Sequence, residues 1–147
     1  MLYTTYSHYT VLDKLPDDMR KILIMRWEPR FLDRSKYNLE HMPDLAPSDL
    51  LLARYKDKSI SFNEFTSMFK QEMLTARFQS ALNDIRTDLD EGKDVAIICC
   101  EKDPLVCHRN IIANVLSEEG YECKEWGKWC SVLVNTKEID YVTYVRK

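Results

Sequence analysis

Hydrophobic positions along the chain alternate between short continuous runs and stripes at helical spacing. Leu2 to Tyr6, aromatic and β-branched, reads as a short strand. Lys21 to Trp27 (KILIMRW) is a compact apolar run, as expected of a strand buried on both faces. Val95 to Cys99 (VAIIC) is the clearest strand in the sequence. Helical spacing takes over elsewhere. Pro47-Ser48 opens a helix running to about Tyr55, with Pro47 near its first turn. Ser61-Phe62-Asn63-Glu64 matches a capping box, and Phe62, Phe65, Met68, Phe69 and Met73 follow it at helical intervals as core positions. Phe78, Leu82, Ile85 and Leu89 mark another helix, with Gly92 just past its end. Cys107 to about Glu119 is a further helix, with Ile111, Ile112, Val115 and Leu116 inward and Gly120 ending it. Pro16-Asp17-Asp18 marks a turn. Glu28 to Ala46 holds Pro29 and Pro43 without a clear period and reads as a long loop. Two late β-like segments, around 128–134 and 139–145, close the chain, and their pairing is not legible.

Strands alternating with helices predict an α/β fold, a Rossmann-like three-layer sandwich with a small, mainly parallel sheet. The competing arrangement is α+β, with the tail segments as a hairpin. A length of 147 residues suits a single domain spanning residues 1–147. Hydrophobic residues make up 45% and charged residues 31%, a globular balance. With 21 basic and 24 acidic residues the net charge is −3, which argues against nucleic-acid binding through charge alone. No apolar run approaches the roughly 18 residues that cross a bilayer. The N-terminus has neither a basic nor an apolar segment, so a cytoplasmic location with reduced thiols is expected.

Five cysteines are present: Cys99, Cys100, Cys107, Cys123 and Cys130. Cys100 to Cys107 and Cys123 to Cys130 share one spacing, so a zinc site from the two pairs, with His108 contributing, is conceivable. Structural zinc sites use tighter spacings of about two to four residues between first ligands. The expectation is therefore no metal and no cofactor.

Chemistry concentrates in Ile97-Ile98-Cys99-Cys100-Glu101-Lys102-Asp103-Pro104-Leu105-Val106-Cys107-His108-Arg109. A buried strand ends at Cys99 or Cys100, a short loop follows, and a helix starts near Cys107. Ligands of open α/β sheets bind outside the carboxyl ends of strands, and the start of the next helix offers unpaired N–H groups. A thiol there, beside Arg or protonated His, ionises more readily. Cys99, Glu101, Cys107 and His108 are the candidate catalytic residues, with sulfur as nucleophile and Glu101 or His108 as acid–base group. Arg109 and Arg26 are the candidate anion contacts, together with Thr4 and Tyr6 on the first strand. The opposing reading makes the cysteines small core residues, His108 and Arg109 a solvated first turn, and Arg26 a surface side chain lying over Trp27. A phosphatase-type loop is excluded, because five residues past Cys99 and Cys100 stand Leu105 and Val106 rather than Arg. A thioredoxin-type Cys-x-x-Cys is absent.

The run Cys99, Glu101, Lys102, Pro104, Cys107, His108, Arg109, Ala113 resembles the family catalogued as domain of unknown function 488, in its short bacterial and phage form. Tyr3-Thr4-Thr5-Tyr6 is similar to that family's first strand, and Arg26 and Pro29 to its Arg followed by Pro after the second strand. Pro43, Leu45, Ala46, Pro47, Ser48, Leu51, Leu52, Tyr55 and Lys56 resemble its middle segment, and Ser61 to Phe65 its Ile-Ser-x-x-Glu-Phe helix start. Longer members usually carry Gly soon after the first strand's Thr, where Tyr6 or Thr5 stands here, and often Asp before the Arg, where Met25 stands. The resemblance spans roughly residues 1 to 126 and implies an α/β fold with the motif at a strand–helix junction. It implies no reaction.

Three functions compete. The first is a Cys-dependent enzyme acting on a small phosphorylated or nucleotide-like anion. The second is a module that binds such a nucleotide or metabolite without chemistry. The third is a partner of single-stranded nucleic acid or of protein, through Arg30, Arg34 and Lys36 interleaved with Trp27, Phe31 and Tyr37. The acidic chain weighs against the third, and the enzyme is placed ahead of the pure binder.

Overall fold

The computed structural model describes residues 1–126 and 133–135. Strand β1 (Leu2–Tyr6) is followed by the short helix α1 (Tyr9–Leu12) and strand β2 (Arg20–Leu23). Helix α2 (Arg34–Tyr37), strand β3 (Leu39–His41) and a 3-10 turn at Pro43–Leu45 come next. Helices α3 (Asp49–Lys56), α4 (Phe62–Glu72) and α5 (Ala76–Asp90) lead into β4 (Val95–Cys99). A second 3-10 turn (Pro104–Val106) precedes α6 (His108–Glu118), β5 (Cys123–Trp126) and β6 (Leu133–Asn135). The sheet order is β3-β2-β4-β1-β5-β6. The first five strands are parallel, and β6 runs antiparallel to β5. The fold is the expected Rossmann-like α/β sandwich.

Right-handed crossovers put α1 and α2 on one face of the sheet and α3 to α6 on the other. Contacts of α4 with α3 and with α6 agree with that placement. Central strand β4 is buried at all five positions, which is why its sequence reads as an unbroken apolar run. Leu2, Ile22, Leu23, Val95, Ile97 and Ile98 are fully buried, as are Phe69, Leu82, Ile85, Ile112 and Leu116 from the helices.

The helix boundaries have identifiable local causes. Ser48 caps α3 through Leu51 N–H, and its own N–H and hydroxyl donate to the Glu72 carboxylate, tying α3 to the end of α4. The Ser61–Glu64 capping box is complete. Gly92 and Gly120 follow α5 and α6 with φ of 79° and 106°, a left-handed conformation that a residue with a Cβ resists.

Three expectations are revised. The second strand stops pairing after Leu23, apart from Ile24 N–H donating to Ile98 O, because Met25, Arg26 and Trp27 turn away at the sheet's carboxyl edge. The segment read as one long loop, Glu28 to Ala46, contains α2, β3 and a 3-10 turn. Asp33 caps α2, and Asn38 ends it with φ of 54°, a conformation Asn tolerates. Strand β5 stands where no element was expected. Of the late segments, 128–134 meets β6 at residues 133 and 134, and its residues 128–132, like the whole of 139–145, lie outside the described residues.

At the amino end of the sheet, Arg20 makes paired contacts with Glu40 at 2.7 and 3.0 Å and with Asp84 at 3.2 and 3.1 Å, and a 2.8 Å contact with Asp88. One guanidinium thereby joins β2, the residue after Leu39 in β3, and α5. The hydrogen bond from Arg20 holds the Asp88 carboxyl below the usual carboxylate range. A depressed carboxyl adds stability that is full above its unfolded value, near pH 4, and is lost as pH falls through the folded value. Arg20→Gln is expected to cost about 1–2 kcal/mol at pH 7, a network of partly screened pairs. The gap between wild type and variant in urea midpoint should narrow below about pH 4; a gap that stays constant down to pH 3 contradicts the assignment.

Candidate functional site

Chain connections set where a crevice opens. From β2 the chain moves to β3 at one edge, and from β4 it moves across β1 to β5 on the other side. Since β2 and β4 are neighbours, their carboxyl ends form a topological switch point, where an open α/β sheet leaves room for a ligand. A hollow of about 270 Å³ lies there. Met25, Arg26 and Trp27 line it after β2, and Cys99, Cys100, Glu101, Val106, Cys107 and His108 line it after β4. Pro47, Leu52, Tyr55, Lys56 and Phe65 complete the wall from α3, the turn before it and α4.

His108, the first residue of α6, is fixed from three sides. Its Nε2 lies 2.9 Å from Ile24 O. A carbonyl only accepts, so Nε2 carries the hydrogen, and Nδ1 of the neutral ring presents its lone pair. That Nδ1 faces Cys99 Sγ at 3.6 Å. Phe69 from α4 meets the imidazole edge-on, with ring centroids 5.5 Å apart. The helical row Phe62, Phe65, Phe69 therefore does more than fill the core: Phe65 lines the hollow and Phe69 buttresses its histidine.

Two thiols, Cys99 and Cys107, converge on this ring, a third, Cys100, lies along the hollow, and the three differ in character. Strand alternation buries Cys99 and leaves Cys100 exposed. Cys107, the residue before α6, is 2% exposed, and no side chain caps the helix there. Burial opposes ionisation of Cys107, but the hydrogen bond from Cys99 and the nearby Arg109 charge hold its thiol well below the ordinary range. Cys99 is pushed well above that range by hydrogen bonds to Cys100 and Cys107 and by burial. The Cys99 S–H, shared between Cys107 and Cys100, also brings Cys100 down to about 7 against its own desolvation. Of the three thiols, Cys99 is thus the one that holds its proton most firmly, and Cys107 is shifted toward ionisation.

Arg109 is placed differently from the expectation. Its side chain is completely buried, and so is that of Glu125 on β5. Nε and one terminal nitrogen of Arg109 donate to the two Glu125 oxygens at 3.2 and 3.0 Å. The remaining donors reach Glu101 O and, at 3.2 Å, Lys102 O. Burial tends to discharge the guanidinium, but Glu125 and Cys107 more than compensate, and its pKa lies above the ordinary value. Burial raises the Glu125 carboxyl, against the pull of Arg109 and Thr4. Thr4 Oγ1 donates to Glu125 at 2.5 Å, and Tyr6, pushed up to about 12 by burial, lies near the same pair. Arg109 and Thr4 therefore belong with Glu125 to an internal brace behind the loop Glu101–Cys107, with Tyr6 beside it, and none of the three expected contacts is among the residues lining the hollow. The structure gives Arg109 and Thr4 a supporting place next to the hollow.

The other expected residues are brought together. Cys99, Glu101, Cys107, His108 and Arg26 all line the hollow. Arg26 is partly buried, with Nε donating to Pro47 O at 2.8 Å, and His41 Nε2, 2.8 Å from Met25 O, steadies the turn that carries it. Reasoning from sequence missed Trp27, Tyr55 and Lys56 as lining residues, and missed Glu125. The signal for Glu125 was its period-2 partnership with Cys123 in a strand that had to follow α6. The zinc pairing read from spacing also shifts: Cys99, Cys107 and His108 converge, whereas Cys100 points outward, Cys123 sits in β5 and Cys130 lies outside the described residues. The basic–aromatic loop leaves Trp27 and Phe31 exposed, while Arg34 pairs with Glu28 and Lys36 lies over the Tyr37 ring. No helix among the described residues is long and apolar enough to cross a membrane.

A family model described as the active DUF488-N3 subclade matches residues 5–120, a span holding the whole run from Cys99 to Arg109. The chain belongs to the DUF488 family. No curated protein and no solved structure matches it. The matched span of this DUF488 chain stops short of Glu125, so the acid that neutralises its buried arginine comes from outside that span.

Removing Glu125 alone strands a buried guanidinium. Glu125→Leu is expected to cost about 3–5 kcal/mol in denaturant unfolding, whereas the double variant Glu125→Leu with Arg109→Met should recover most of that loss. A double variant no more stable than Glu125→Leu rules out the charge pair as the cause.

Proposed function

We propose that this DUF488 chain binds a small anionic, nucleotide-like ligand in the hollow and acts on it through Cys107. The observation that carries this reading is the division of one hollow into two parts. Its floor holds the Cys107 sulfur and the His108 ring, and its wall holds two cations, Arg26 and Lys56, beside aromatic Trp27 and Tyr55. Lys56 and Trp27 are exposed, so an ammonium and an indole face are available to a phosphate and a planar base. Apolar Leu52, Phe65 and Val106 give the remaining surface the mixed character of small-molecule sites.

In this reading Cys107 sulfur attacks the ligand's electrophilic atom, and the departing group leaves with the electron pair of the broken bond. Glu101, exposed and lining the hollow, passes a proton between that group and solvent. His108 keeps the thiols oriented through its bond to Ile24 O. The second reading, a module that holds the same ligand without chemistry, is favoured by the deep burial of Cys107.

Calorimetric titration with a panel of nucleoside phosphates, followed by recovery of the ligand, tests both readings. Lys56→Glu and Trp27→Ala should each weaken binding about tenfold, roughly 1.4 kcal/mol. Cys107→Ser should retain binding and form no product. Turnover that survives Cys107→Ser ends its role as nucleophile, and a ligand returned unchanged by wild type establishes the binding module. Affinity indifferent to both rim substitutions removes the hollow as the binding place.

A further inference from the structure

We infer that Cys99, Cys107 and His108 form a tridentate site for a thiophilic divalent cation of the zinc class, with its fourth position open to the hollow. The three donor atoms lie within 4.8 Å of one another, and all three residues are buried. The separation of the sulfur and the imidazole nitrogen is diagnostic. Bonds of about 2.3 Å to sulfur and 2.0–2.1 Å to nitrogen, at a tetrahedral angle of about 109°, place the two ligands about 3.5–3.6 Å apart. Cys99 Sγ and His108 Nδ1 are 3.6 Å apart. A thiol–imidazole hydrogen bond has a similar length, but it needs two partners, whereas here a third donor converges on the same point.

The surroundings of the imidazole are an independent observation. A histidine that binds metal through one nitrogen characteristically donates its other N–H to a carbonyl or carboxylate, which fixes tautomer and orientation. His108 Nε2 makes that bond to Ile24 O at 2.9 Å, leaving Nδ1 as the donor toward the sulfurs. Phe69 against the ring removes its remaining freedom. Two sulfurs and one nitrogen match the donor set of catalytic zinc sites that keep one position for water or substrate. All three residues also line the hollow, so that position is reachable from it.

Binding is a ligand exchange without redox change. The cation sheds waters, accepts electron pairs from Cys107 thiolate, Cys99 sulfur and His108 Nδ1, and the Cys99 proton passes to solvent. With metal bound, Cys107 is committed to the cation and closed to attack on carbon or phosphorus. Metal loading therefore regulates the sulfur chemistry proposed above, and in that respect alone the inference rests on that reading. Metal uptake itself is measured with no nucleotide present, so either can fail without the other.

Titration of the reduced, chelator-treated full chain with Co²⁺ should give one equivalent of binding, with the intense visible bands of tetrahedral cobalt and sulfur-to-cobalt charge transfer. Cys99→Ser, Cys107→Ser and His108→Ala should each weaken uptake at least tenfold, while Cys100→Ser leaves it intact. Circular dichroism checks that each variant is folded. X-ray absorption on the zinc-loaded wild type reads the donor set without any substitution, and the result expected is two sulfurs and at least one imidazole nitrogen. A weakly coloured six-coordinate cobalt spectrum, a zinc shell of oxygens, or uptake that follows Cys100 instead of Cys99 overturns the site.

Discussion

A guanidinium without access to water holds the functional end of this fold in place. Arg109 sits in the first turn of α6, where a cation is poorly suited to the positive end of the helix. It is tolerated because Glu125 supplies the opposite charge and the carbonyls of Glu101 and Lys102 take the remaining donors. Those carbonyls belong to the loop leaving β4. The buried pair therefore ties strand β5, helix α6 and the loop between β4 and α6 to one point. Its electrostatic return by itself is modest, since desolvation consumes much of the Coulomb gain. Its structural consequence is larger: the path of the loop is set, and with it the position of Cys107.

The brace and the hollow lie on opposite sides of the same turn, and consecutive residues divide between them. Cys107 and His108 face the hollow, and Arg109 faces the interior behind it. Helical geometry requires this, because neighbouring residues on a helix project about 100° apart. An arginine next to a cysteine and a histidine therefore need not share a cavity with them. It still acts on Cys107 through space, since its charge favours the thiolate. The Arg109 charge and a neighbouring thiol donor both shift one sulfur toward ionisation in a nearly dry place, where each interaction is stronger than it would be in water.

How much of this was legible in the sequence followed the length scale of the signal. The run Val95–Cys99, the stripe Phe62–Phe69 and the Ser61 capping box are patterns of four or more residues with one physical meaning each, and they fold as read. Strand β3 has three residues and lies between a left-handed Asn38 and Pro43, so no periodicity could form. The Cys99–Arg109 segment was visible as a concentration of chemistry, and four of its residues do meet. What composition could not supply was direction. The outward turn of Cys100, the inward turn of Arg109 and the arrival of Lys56 and Trp27 from other elements depend on tertiary placement. Glu125 illustrates the limit, because a carboxylate in a Cys-Lys-Glu-Trp strand looks like a solvated position until its arginine is known.

The two chemistries proposed for the hollow draw on the same sulfurs, and the fold explains why they coincide. A reactive thiolate needs a proton-bearing neighbour, a positive field and an oriented imidazole. A tetrahedral cation needs two sulfurs and an oriented imidazole at about 3.6 Å. Cys99 serves as hydrogen-bond donor in the first arrangement and as ligand in the second, and only its proton has to leave for one to become the other. The Ile24 carbonyl serves both, since fixing Nε2–H directs Nδ1 at the sulfurs whether a proton or a metal lies between them. That carbonyl is available because β2 ends its pairing one residue earlier, at the switch point where the chain turns away from β4. The topology that opens the hollow therefore also supplies the backbone oxygen that orients the histidine within it.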